Sequence, residues 1–104
     1  MPPKHRLTGA EMRNTRATRR VSGTFFSVSV TSGGKTARFG VVVSKKVATK
    51  AVDRNLVKRR WRASLLKHLS AVPAGVYVFV AKRDAAGASF ADIRDDVAML
   101  IGRL

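Results

Sequence analysis

Between residues 45 and 67 the chain sets Lys45, Lys46, Lys50, Arg54, Lys58, Arg59, Arg60, Arg62 and Lys67 against a single acid, Asp53. So few acids leave the cations unable to neutralise one another, and arginines grip phosphate oxygens through a two-pronged fork. At about 100° per residue, Arg54, Asn55, Lys58, Arg59 and Arg62 share an arc of roughly 140°. Leu56, Val57, Trp61 and Ala63 fall outside it. The helix therefore offers one face to phosphates and another to a core. Arg60 points away from the arc, and Leu65, Leu66 and Leu69 drift towards it. Lys45, Lys46 and Lys50 sit just before or at the helix N-terminus, where free backbone N–H groups and the dipole also favour anions. A solvated basic face is the ordinary reading of a charge run, and the scarcity of acids weighs against it here.

Other residue sets do not assemble a reaction centre. Gly34-Lys35-Thr36 imitates the end of a phosphate-binding loop, but Ser29 stands where the first glycine is needed and a strand pattern follows. His5 and His68 have no companions at metal-ligand spacing. Asp92, Asp95 and Asp96 suit the first turns of a helix better than a magnesium site. No nucleophile, base and orienting group form a set. With no cysteine among 104 residues, disulfides, thiolate zinc sites and cysteine nucleophiles are excluded.

The net charge of +15 is unevenly placed: 19 of the 21 basic residues lie in residues 1–83, and 13 of the 21 are arginine. A surface is basic, and arginine suits nucleic acid. The length fits one domain, with residues 1–7 as a flexible basic arm. No run reaches the roughly 18–20 apolar residues of a membrane span, and no apolar segment follows the first residues to make a signal peptide, so a cytoplasmic protein is expected.

The elements that must position the cations read as follows. Thr8 and Glu11 match a capping box opening a helix over residues 9–19 or 9–20, with little to bury. The connector at 21–24 has room for a short strand. Alternation over 25–31 puts Phe26, Val28 and Val30 on one face and Phe25, Ser27, Ser29 and Thr31 on the other. A hairpin turn at 32–35 leads to a partner strand over 37–44, with Phe39, Val41 and Val43 inward and Arg38, Gly40, Val42 and Ser44 outward. The two outer faces make a groove floor on which Phe25 is the stacking candidate. Trp61 is better read as core. The basic helix runs from 49 or 50 to 68 or 69, a buried strand covers 76–81, and Ser89 with Asp92 caps a last helix carrying Phe90, Ile93, Val97, Leu100, Ile101 and Leu104. The order is α-β-β-(β)-α-β-α, an α+β fold in a small two-layer sandwich.

Two stretches carry a resemblance: Arg38-Phe39-Gly40-Val41-Val42-Val43-Ser44-Lys45-Lys46, and Ala51-Val52-Asp53-Arg54-Asn55-Leu56-Val57-Lys58-Arg59. Together they look like the signature of the bacterial ribonuclease P protein subunit, with its Arg-Asn core, and the likeness extends over nearly the whole chain. The resemblance implies a left-handed crossover from the central strand into the basic helix. It implies a non-catalytic subunit that binds a catalytic RNA and the 5′ leader of precursor tRNA, with Mg2+ held chiefly by the RNA and none by the protein alone. Membrane and obligate protein partners are not expected. By position, Lys45, Lys46, Lys50, Arg54, Asn55, Lys58, Arg59 and Arg62 would contact the catalytic RNA. The first helix and outer strand face, through Met12, Arg13, Arg16, Phe25, Ser27, Ser29 and Arg38, would form the leader cleft.

The chain departs from the family pattern in two ways. Leu56 replaces a usual third basic residue, and Met12, Arg16 and Ser29 stand where aromatics are common. An electrostatic cleft using Arg13, Arg16 and Phe25 is therefore expected. Composition alone would equally allow a structural RNA-binding protein of ribosomal type; a DNA-binding module lacks a recognition helix with base-reading residues.

Overall fold

Val76 to Ala81 is the most apolar run in the chain, and it takes the most enclosed place in the sheet. The computed structural model describes residues 5–13 and 17–104, Arg13 by its backbone alone. Its elements are α1 (Gly9–Arg13), β1 (Arg19–Ser22), β2 (Phe26–Ser32), β3 (Ala37–Val42), α2 (Ala51–Leu65), β4 (Gly75–Ala81) and α3 (Phe90–Gly102). They follow the α+β order expected. Strand order is β1-β2-β4-β3, with β4 antiparallel to β2 and parallel to β3.

That order corrects the expected hairpin: β2 and β3 are consecutive but not paired. β4 enters between them because its valines, Tyr77 and Phe79 bury best with neighbours on both edges. The link from β2 to β3 therefore spans the start of β4, turning at Gly33 and Gly34 with φ of 123° and 82°, values that L side chains rarely adopt. Gly75 is needed on packing grounds, since a Cβ there would lie 2.7 Å from the Thr31 carbonyl oxygen.

The first helix is the second correction. Its capping box forms, Thr8 N–H donating to Glu11 Oε1 at 3.1 Å and Glu11 N–H to Thr8 Oγ1 at 3.2 Å. Arg19 and Arg20, however, belong to β1, registered opposite Val30 and Ser29. A helix with so thin an apolar stripe offers these residues nothing to bury, whereas a ladder on β2 satisfies their backbone and lets Val21 pack on the core.

One sheet face carries the core. Phe26, Val28, Val30, Phe39, Tyr77 and Phe79 meet Val57, Trp61 and Leu65 of α2 and Ile93, Val97, Leu100 and Ile101 of α3. Trp61 is 1% exposed and packs edge-on against Phe79 at 5.5 Å, as its core reading required. α2 stops at Leu65 and continues as a 3₁₀ turn over Leu66–His68, so Leu66 emerges half exposed. Ser89 and Asp92 form the expected capping box of α3, while Phe90 departs from the buried stripe and is exposed. No helix among the described residues is long and apolar enough to cross a membrane.

Candidate nucleic-acid interface

The burial of Val57, Trp61, Ser64 and Leu65 fixes the rotation of α2 and turns Asn55 and Arg59 outward, with Arg54, Lys58 and Arg62 half exposed beside them. Arg60, off the cationic arc, donates from Nη1 to the Ala88 carbonyl at 2.6 Å and so ties α2 to the segment before α3. Leu56 is half-buried and contributes no charge. Ahead of the helix, Lys45 and Lys46 stand exposed on a turn closed by Val47 N–H on the Ser44 carbonyl at 3.0 Å. Lys50 is the N-cap residue and supplies no side-chain acceptor, so the first turn of α2 faces outward uncapped among lysines. Eight sequence-selected positions are thus gathered along one helix and the loop before it.

The opposite face of the sheet is a separate surface. Its rows follow from the register: Ser22, Ser27, Val80 and Val42; then Arg20, Ser29, Val78 and Gly40; then Thr31, Val76 and Arg38. Valines form the middle, hydroxyls flank them, and cations stand at the margins. α1 covers the β3 end, where Met12 lies so close to Gly40 that a Cβ there would come within 2.4 Å of its Sδ. Beside it, a cavity of about 580 Å³ opens between α1, the β3 edge and α2, with Arg6, Lys58 and Arg62 on its walls.

The N-terminal segment completes that wall. His5 Nδ1 lies 2.7 Å from the Ala37 carbonyl oxygen, Leu7 N–H donates to the Phe39 carbonyl at 2.9 Å, and Arg6 bridges to Phe39 in parallel fashion. Of the basic arm at 1–7, His5 to Leu7 therefore lie along β3. Arg38 is ion-paired with Glu11, its Nη2 also 2.9 Å from Oε1, and the same nitrogen donates to the Arg6 carbonyl at 3.0 Å. The Arg38 guanidinium, with the Thr8 N–H, holds the Glu11 carboxyl below the usual glutamate range.

The cleft residues chosen from sequence are not all brought together. Met12, Ser27, Ser29 and Arg38 share the outer side of the sheet, Arg38 already engaged by Glu11. Arg16 and the Arg13 side chain lie outside the described residues. Phe25 is elsewhere: it precedes β2, packs against the core and lines a hollow of about 270 Å³ with Asp92, Asp95 and Met99 of α3. Alternation could not carry back to Phe25 because the chain reverses there. Asp96 makes that reversal, accepting the N–H groups of Thr24, Phe25 and Phe26 at 2.8, 2.9 and 3.0 Å.

With Phe25 displaced, no aromatic among the described residues stands on the outer face, since Phe26, Phe39, Trp61, Tyr77 and Phe79 are core and Phe90 is on α3. Sequence reading missed two cations near this surface, Arg20 and Arg6. The signal for Arg20 was available in the alternation of Arg20 and Ser22 about Val21. No group of three or more His, Cys, Asp or Glu able to hold a metal occurs among the described residues.

A family model described as Ribonuclease P matches residues 1–104. The chain is 40% identical over 85 residues to the ribonuclease P protein component of Xanthomonas campestris pv. campestris, covering 82% of this chain and 57% of that protein. It is 41% identical over 70 residues to that of Nitratiruptor, covering 67% of this chain and 63% of the relative. The chain thus spans less than two thirds of the length of either. In fold it is similar to the Staphylococcus aureus RNase P protein, with TM-score 0.82 and 24% identity over 95% of this chain and 94% of that one. The Thermotoga maritima RNase P protein matches with TM-score 0.73 and 24% identity over 83% of each. With a family model matching this chain from residue 1 to 104 and these relatives beside it, the chain belongs to the ribonuclease P protein family.

Proposed function

We propose that the chain is the protein subunit of a cytoplasmic ribonuclease P, binding the catalytic RNA and helping it remove 5′ leaders from precursor tRNA. The observation that carries the reading is the sorting of α2, whose buried Val57, Trp61 and Leu65 turn a cationic face outward beside Lys45, Lys46 and Lys50. That face has the charge and forked donors for an RNA backbone. Lys58, Arg59 and Arg62 would contact phosphates, with Asn55 among them. The leader would lie across the outer sheet face beside Met12, Ser27 and Ser29, with Arg13 at the end of α1 and Arg16 three residues later in sequence. Cleavage itself is assigned to the RNA and its Mg2+.

The test is cleavage of precursor tRNA by a bacterial ribonuclease P RNA at low magnesium, with and without the protein. Stimulated cutting at the mature 5′ end is expected. Tight RNA binding with no stimulation would leave a structural RNA-binding protein as the better account.

A further inference from the structure

Arg54 belongs to the cationic arc by spacing, yet its guanidinium is turned back on the chain. Nη1 donates to the carbonyls of Ala48 at 3.0 Å and Thr49 at 2.8 Å. These carbonyls lie in the loop that presents Lys45, Lys46 and Lys50. Among the described residues no other side chain hydrogen-bonds to residues 44–50. The loop is otherwise held by its own turn on Ser44 and by Val47 and Ala48 packed inward.

A helix is ordinarily tied to the preceding chain by an N-cap side chain that accepts from its first turn. Lys50 cannot accept, so that tie is absent here. Arg54, one turn into α2, makes the connection in the opposite sense, donating from the helix to the loop. The bond also occupies two carbonyl oxygens at the end of that loop.

We propose that Arg54 is a positioning residue for RNA binding: it orders the loop at 45–50 so that its three lysines meet the RNA already arranged, and is not itself a phosphate contact. The inference rests on the RNA-binding reading above and changes the role given to this residue within it.

The experiment measures affinity of the full chain for a bacterial ribonuclease P RNA transcript across salt concentrations, for the unsubstituted protein, R54A, K45A/K46A and the triple variant. Amide hydrogen exchange of the free protein is followed alongside. R54A is expected to weaken binding about 10-fold while changing the log–log salt slope by less than about 0.3, against about 0.7–0.9 for each phosphate no longer neutralised. In the K45A/K46A background the same substitution should cost less than about twofold, because two of the three lysines it arranges are gone. Exchange at Val47 and Ala48 should accelerate in free R54A while the core strands stay protected. Additive losses, a slope shallower by about 0.7–0.9, or unaccelerated loop exchange would each overturn the positioning role. Absence of binding by the unsubstituted protein would instead overturn the functional reading, and the positioning role in RNA binding with it.

Discussion

Arginines of one helix do different work here, and what each touches decides which. Arg59 is exposed on the outward face of α2 and lies clear of the sheet, whereas Arg60, its sequence neighbour, holds the Ala88 carbonyl at 2.6 Å. Arg59→Ala should therefore make the salt dependence of RNA binding shallower by about 0.7–0.9 log units per log salt and leave stability within about 0.5 kcal/mol. Arg60→Ala should leave that slope alone and cost about 1–2 kcal/mol, since it removes a charge-assisted bond between α2 and the segment before α3. Salt titrations of affinity with denaturant melts of the same variants check both. A slope that falls equally in the two variants would refute the division. The α2 spacing already placed Arg60 off the arc, but its partner lies 28 residues away and no local pattern names it.

Two short elements depend on acids in a chain that has few. Asp96 of α3 is 6% exposed and accepts three successive backbone N–H groups at the β1–β2 reversal, and a Cβ on Gly23 would come within 2.6 Å of its Oδ1. Asp96→Asn replaces an acceptor oxygen with a donor facing N–H groups, so a loss of about 2–3 kcal/mol is expected in urea unfolding. A loss under about 0.5 kcal/mol would mean that the turn stands without it. Glu11 fastens α1 to the sheet through Arg38, and its pKa is lowered from 4.5 in the folded chain. Its contribution is then complete above pH 4.5 and is lost as pH falls through the lower folded value. Acid titration followed by NMR at Met12 and Gly40 should show α1 releasing below pH 4.5, before the core melts, and Glu11→Gln should loosen the contact at neutral pH. Local spacing announced the Thr8–Glu11 cap and the Ser89–Asp92 cap, because capping is a property of four consecutive residues. The partners of Glu11 and Asp96 were not legible, since they lie 27 and 70–72 residues away and depend on how the sheet is ordered. The insertion of β4 between β2 and β3 was hidden for the same reason: a hairpin signal records proximity in sequence, and burial of the best apolar strand overrode it.

Across the whole molecule, the cationic helix and the outer sheet face present two different chemistries. α2 offers cations suited to phosphate oxygens, while the sheet face offers serines and valines with Arg20 at one margin and Met12 at the other. Without an aromatic on that face among the described residues, preference for precursor over mature tRNA should rest on charge, and so decline as salt is raised. Ser29 sits centrally, between Arg20 and Val78, with Gly40 one strand further on already covered by Met12. Ser29→Phe would install a flat apolar ring there, and stacking on an aromatic is worth about 1–3 kcal/mol per base. The variant should therefore bind leader-bearing precursor about 5- to 150-fold more tightly relative to mature tRNA, and keep that preference at high salt. Affinities of the assembled ribonucleoprotein for both RNAs at two salt concentrations decide it. If precursor and mature tRNA gain equally, the leader does not cross this face; if only the precursor gains, the leader crosses it within reach of residue 29.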